Sequence, residues 1–95
     1  PFTTYSNEAW LDYNKLKFPL IWRVWREGDR FIPLGISGFK KVSDFLIDEK
    51  VSIPDKEGIT VIESGGDIVW VVGMRIDERA KQIPAAKSFV ITRLE

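Results

Sequence analysis

The spacing of apolar residues changes period along this chain, and the changes mark its elements. Glu8 to Leu16 reads as a strand that leads in, closed off by Pro19. Leu20 to Arg26 (LIWRVWR) is β-branched and aromatic and predicts a second strand. Leu20, Trp22 and Val24 share one of its faces, and Ile21, Arg23 and Trp25 the other. Glu27-Gly28-Asp29 is a turn signal, Arg30 to Leu34 is a short extended piece broken by Pro33, and Gly35 and Gly38 bracket an elbow. The period then lengthens. Phe39, Val42, Phe45 and Leu46 fall on one stripe of a helix expected over Phe39 to Lys50, with Lys40, Lys41, Asp44 and Asp48 on its wet side.

Ser52 to Gly58 has room for one helical turn around Pro54. Ile59 to Glu63 and Ile68 to Val72 predict two strands, joined by a tight hairpin at Ser64-Gly65-Gly66-Asp67, where glycine supplies the positive φ of a primed turn. The second of these strands is apolar on both faces and is expected at the centre of a sheet. Met74 to Gln82 is charged and irregular, Pro84 opens the last link, and Ser88 to Leu94 predicts a final strand. No repeat or linker interrupts residues 1–95, which read as a single α+β domain of several strands and one main helix.

Composition narrows the chemistry more than the fold. Hydrophobic residues make up 44% and aromatics 13% of the chain, enough for a core in which Trp22 and Trp70 are expected. Trp10 and Trp25 are less firmly placed. The absence of cysteine excludes disulfides and thiolate zinc sites and suits a reducing cytoplasm among other settings. The absence of histidine removes the commonest general base, the Ser-His-Asp triad and His-ligated metals. The longest apolar run, Ile68 to Gly73, is far short of the ~20 residues of a membrane span. The chain opens on Pro1 and not on methionine, as expected of a piece of a longer protein or of a processed one. Fourteen basic residues balance fourteen acidic ones, so any case for nucleic-acid binding rests on where the charges sit.

Three constellations concentrate charge. In the elbow Gly35-Ile36-Ser37-Gly38-Phe39-Lys40-Lys41, Ser37 is a candidate N-cap, and lysines in the first helical turn would oppose the helix dipole at roughly 0.3–1 kcal/mol each. A phosphate ligand reverses that cost; a solvated face tolerates it. Lys40 can also pair with Asp44 one turn on. In Arg23-Val24-Trp25-Arg26-Glu27-Gly28-Asp29-Arg30, arginine forks and indoles suit phosphates and bases, while Asp29 is expected to order Arg26 or Arg30 around the turn. The run Arg75-Ile76-Asp77-Glu78-Arg79-Ala80-Lys81 reads as a solvated loop at a strand end. Asp44, Asp48 and Asp77, with lysines interleaved, make a poor metal set.

The spaced elements Arg23-x-x-Arg26-x-Gly28-Asp29-Arg30-Phe31-x-Pro33-Leu34-Gly35 and Gly38-x-Lys40-Lys41-Val42-Ser43-Asp44-Phe45-Leu46 resemble the C-terminal domain of the tRNA(Ile)-lysidine synthetase family. Asp48-x-Lys50-Val51, Ile68-Val69-Trp70-Val71-Val72-Gly73 and Arg75-x-Asp77-x-Arg79 extend the likeness from about Leu11 to the end, and only Ala80 departs from an expected aromatic. That resemblance implies a bacterial, cytoplasmic ligase that attaches lysine to the wobble cytidine of tRNA(Ile). Its ATP and magnesium belong to an N-terminal domain with a Ser-Gly-Gly-x-Asp-Ser loop. Ser64-Gly65-Gly66-Asp67 is not that loop, because Ile68 and Val69 stand where its acid and serine belong.

The resemblance further implies a small β-sandwich-like fold, similar to a domain of the phenylalanyl-tRNA synthetase β subunit. It implies tRNA acceptor-stem contacts from Arg23, Arg26, Arg30, Lys40 and Lys41, to which Arg75 and Arg79 are added as candidates. No catalytic residue, metal or cofactor is assigned to this segment. Its expected partners are the tRNA and the remaining domains of the same enzyme, without a membrane. A structural module packing on the parent enzyme, or a homodimer, is the competing expectation. It calls for an exposed apolar patch around Trp10, Trp25 and Phe39.

Overall fold

The computed structural model describes residues 7–94; residues 1–6 of the leading segment and residue 95 lie outside the described residues. In chain order the elements are β1 (Glu8–Asp12), β2 (Ile21–Val24), β3 (Arg30–Phe31), β4 (Lys40–Lys41), α1 (Val42–Asp48), α2 (Ile53–Lys56), β5 (Thr60–Ser64), β6 (Asp67–Val71), β7 (Arg75–Ile76) and β8 (Ser88–Thr92). Short 3-10 turns follow β1 and β7, at Tyr13–Lys15 and Glu78–Ala80. An antiparallel sheet of order β2-β5-β6-β7 forms the middle layer. The ribbon β1–β8 pairs Leu11 with Phe89, and the ribbon β3–β4 pairs Arg30 with Lys41.

Both faces of the sheet are covered. Ala9 and Leu11 of β1 join Ile62, Trp70, Val72, Ile76 and Ala80 in one apolar cluster. Phe31, Val42, Phe45 and Leu46 bring β3 and α1 onto Val61, Ile68 and Val71 in another. Burial stabilises by roughly 1.5–3 kcal/mol for each side chain such as Phe31 or Leu46. The result is the expected α+β, sandwich-like domain with one main helix. Strand β6 is central, as its apolar character on both faces predicts. Gly65 (φ 57°) and Gly66 (φ 90°) make the hairpin turn between β5 and β6.

Four local expectations are corrected. Strand β1 stops at Asp12 and not at Leu16, because the Asp12 carboxylate accepts from the Asn14 amide and curls the chain into the 3-10 turn. The main helix begins at Val42 and not at Phe39; Lys41 occupies the N-cap position without a side-chain cap, so Ser37 does not cap it. Lys40 and Lys41 are held instead as a strand by pairing with Arg30 and Phe31. The fourth correction is Trp22, which is 67% exposed on the edge strand and not in the core. Among the described residues no layer closes over it. It forms a wall of an apolar groove of about 350 Å³ with Ile62, Trp70, Val72, Ile91 and Leu94.

Candidate nucleic-acid interface

The ribbon β3–β4 unites two of the three charged constellations. Cross-strand partners share a face, so Arg30 lies beside Lys41, while Phe31 on the other face enters the core. The amide of Val42 donates to the Asp29 carbonyl at 2.9 Å, which fixes the arginine turn to the start of α1. Just before β4, the Phe39 ring is 53% exposed and does not join the helix's buried stripe. The Arg30 guanidinium lies 4.7 Å from its centroid and the Arg79 guanidinium 5.0 Å, so two cations flank one aromatic.

Arg79 is aimed by Asp77, whose side chain is only 1% exposed. That carboxylate accepts from the Arg79 amide at 2.7 Å and from Nε and Nη2 at 2.9 Å each. It also accepts from the Ile32 amide at 2.8 Å, tying the end of β7 to the segment after β3. The bond to Asp77, opposed by desolvation and helped by the charges of Asp77 and Asp67, raises the Arg79 pKa above its ordinary range. Asp67 stands 3.6 Å from the same guanidinium. Glu78 accepts from the Gly35 amide at 2.9 Å and from Lys81 at 2.5 Å, anchoring the elbow and holding the Glu78 carboxyl below the usual range.

Arg23 is the counterpart on β2. It donates to both oxygens of Asp29, at 2.9 and 3.0 Å, and from Nε to Glu63 at 2.8 Å. The Asp29 bond is foremost in raising its pKa; desolvation opposes it and Glu63 adds to it. Burial works against an ionised Asp29, but hydrogen bonds from Arg23 and from the Arg26 amide outweigh it and lower its pKa. Asp29 therefore orders the turn as expected, but the side chain it grips is Arg23, and Arg26 contributes only its amide. Arg23, Asp29, Arg30, Phe39, Asp67 and Arg79 wall a polar groove of about 310 Å³.

The seven candidate cations divide. Arg30 and Arg79 meet in the groove, and Lys41 adjoins Arg30. Arg23 lines the groove but is gripped by two acids. Lys40 pairs with Asp48 and not with Asp44. Arg75 is turned to α1, 5.4 Å from the Phe45 ring centroid and 3.9 Å from Glu49. Among the described residues, Arg26, Arg30 and Lys41 have no carboxylate within ion-pair distance. Asp48 and Asp77, weighed above as metal ligands, are engaged by Lys40 and Arg79. Phe39 is expected on the helix stripe, because it stands three residues before Val42 at helical spacing, or in an apolar patch, and its place between two arginines is not foreseen from the sequence. Asp67 and Glu63 meet their arginines across the sheet, and no local pattern announces such pairs.

The layered architecture places the chain in a fold class shared with two solved domains. It superposes on a solved TILS C-terminal domain with a TM-score of 0.79 and 23% identity, over 94% of this chain and 69% of that one. It also superposes on an N-terminal fragment of the phenylalanyl-tRNA synthetase β-subunit from Pyrococcus horikoshii with a TM-score of 0.72 and 19% identity, over 88% of this chain and 26% of that one. At those identities the likeness establishes the fold alone.

Residues 20–92 match the family model described as TilS substrate C-terminal domain, and the chain belongs to that family. It is 49% identical over 83 residues to the tRNA(Ile)-lysidine synthase of Parabacteroides distasonis, covering 87% of this chain. It is 37% identical over 89 residues to that of Geobacter sulfurreducens, covering 94% of this chain. The chain spans about one fifth of these relatives, 19% of each.

Proposed function

We propose that this domain holds tRNA for a tRNA(Ile)-lysidine synthase, with Arg30, Phe39, Lys41 and Arg79 forming the face that receives the acceptor stem. The parent enzyme, on this reading, is a cytoplasmic ligase that joins lysine to the wobble cytidine of tRNA(Ile). ATP and magnesium act in its N-terminal part. This segment contributes RNA contacts and no reacting group.

The observation that carries the reading is the meeting of Arg30 and Arg79, from two separate stretches of sequence, at one exposed aromatic ring, with Lys41 paired across the ribbon from Arg30. Arginine forks match phosphate oxygens, and the ring offers a flat face beside them. Asp29, Asp67 and Asp77 keep the groove's own charge near balance, so a phosphate gains most from Arg30 and Lys41, which lack an acid, and from Arg79 by displacing its 3.6 Å contact with Asp67. Arg26, exposed beside the same turn, supports the edge of this face; Arg23 acts by holding the turn. Lys40 and Arg75 have weaker claims, each standing against an acid of α1 or its C-cap.

In the full-length synthase, Lys41→Glu is expected to weaken tRNA binding about tenfold, the value of one charge-assisted contact. ATP-dependent activation, read with the small substrates alone, stays at the wild-type rate. Unchanged tRNA affinity would remove the proposal.

One observation favours a structural role instead. Ile21, Trp22 and Val24 stand exposed on the edge strand, whereas Trp10 and Trp25 are half-buried and do not form the expected patch with Phe39. A homodimer through that edge would show in sedimentation and be lost in Trp22→Ser, with tRNA binding untouched by Lys41→Glu.

A further inference from the structure

The groove does not stop at Arg79. Lys15, last residue of the 3-10 turn after β1, lines a second cavity of about 200 Å³ with Ser64, Asp67, Ala80 and Arg79. Asp67, Ile68 and Arg79 are walls of both cavities, so the two adjoin. Two residues on, Lys17 is clamped to the β5–β6 hairpin. Its amide donates to Ser64 Oγ at 2.8 Å, and the Ser64 hydroxyl donates to the Lys17 carbonyl at 3.3 Å. The Lys17 stem lies flat across Gly65, where an added Cβ would stand 2.7 Å from Lys17 Cδ.

Beside these lysines three rings pack on one another. Tyr13 and Phe18 are 5.8 Å apart between centroids, Tyr13 and Phe89 6.4 Å, and Phe18 and Phe89 5.2 Å edge to face. The Lys87 ammonium lies 4.5 Å from the Tyr13 centroid. Despite their mutual packing, Tyr13 keeps 38% and Phe18 49% of its surface exposed. Among the described residues no carboxylate stands within ion-pair distance of Lys15, Lys17 or Lys87. Asp12, on the same stretch of chain, is buried and occupied by the Asn14 amide. A chain of zero net charge thus carries three lysines without a carboxylate partner among the described residues, one of them on the ring of Tyr13, in an aromatic trio whose Tyr13 and Phe18 are exposed.

Lysines beside accessible ring faces suit a nucleic-acid strand whose bases are free to stack. A duplex hides its base faces except at its end, whereas unpaired nucleotides present them. We propose that Tyr13, Phe18 and Phe89, with Lys15, Lys17 and Lys87, form a second site that takes the unpaired 3′ nucleotides of a tRNA whose stem lies on the Arg30–Phe39–Arg79 groove. The positive charge selects a polyanionic strand over an apolar protein segment. This site rests on the stem-docking reading above, and Lys15, which lines the cavity adjoining the groove, lies on the same short stretch of chain as Tyr13, Lys17 and Phe18.

The test compares intact tRNA with the same tRNA trimmed of its unpaired 3′ nucleotides, both binding full-length synthase. Phe18→Ala is paired with a second variant, Lys15→Gln/Lys17→Gln/Lys87→Gln, confined to exposed side chains. Each is expected to lower affinity for intact tRNA about tenfold, as loss of a stacked base does, and to leave trimmed tRNA unaffected. Wild-type protein that binds both RNAs equally would overturn the proposal. So would variants that weaken both RNAs alike or neither. Arg30→Gln/Arg79→Gln separates the two readings, because it should weaken trimmed tRNA as well. If it does not, the stem face fails while the effect of the 3′ end stands on its own.

Discussion

A carboxylate as deeply buried as that of Asp77 is tolerable only because donors converge on it: the Ile32 amide, the Arg79 amide and two guanidinium nitrogens of Arg79. Removing it strands the Ile32 and Arg79 amides and releases the guanidinium from Phe39. Each buried donor left unpaired costs about 1–3 kcal/mol. Asp77→Ala is therefore expected to lower the unfolding free energy by at least about 2 kcal/mol, measured by urea denaturation of the full chain. Arg79→Gln keeps Asp77 and its backbone bonds and should cost less. Equal losses for the two substitutions would show that Asp77 acts only through Arg79. The same logic applies at Asp29, where one carboxylate holds both the Arg23 fork and the Arg26 amide.

At the level of elements, much of the sheet was legible in the sequence, because its signals are local. The hairpin at Gly65-Gly66 and the two-sided apolar run of β6 each lie within a few residues. The Val42, Phe45 and Leu46 stripe identified the helix but not its start. Phe39 extends that stripe by one helical step, yet Lys40 and Lys41 are taken by β3, whose residues lie about ten positions earlier in the chain. Trp22 misled for a related reason. Its residue type and alternation fit a core position, but β2 ends the sheet, and strand order is not written in periodicity. The candidate site was half legible: basic residues were visible, but their pairing with Glu63, Asp48 and Glu49 came only with the fold. Tryptophan removal measures the difference. Trp70→Ala should cost about 3–5 kcal/mol, as for a packed core aromatic, while Trp22→Ser should change the urea midpoint little. Comparable losses would place Trp22 in the core after all.

For the molecule as a whole, zero net charge conceals an uneven surface. Among the described residues Arg30, Lys41 and Arg26 have no carboxylate within ion-pair distance, and Lys15 lines the cavity that adjoins the groove at Arg79. Affinity for a nucleic acid that rests on phosphate contacts falls linearly with the logarithm of salt, by about 0.9 for each contact on a duplex. The most direct measurement is the salt dependence of tRNA binding by full-length synthase, wild type against Arg30→Gln/Arg79→Gln. The groove account predicts weaker binding at low salt and a slope shallower by about 0.9 for each phosphate contact removed. Superimposable lines for the two proteins would contradict it.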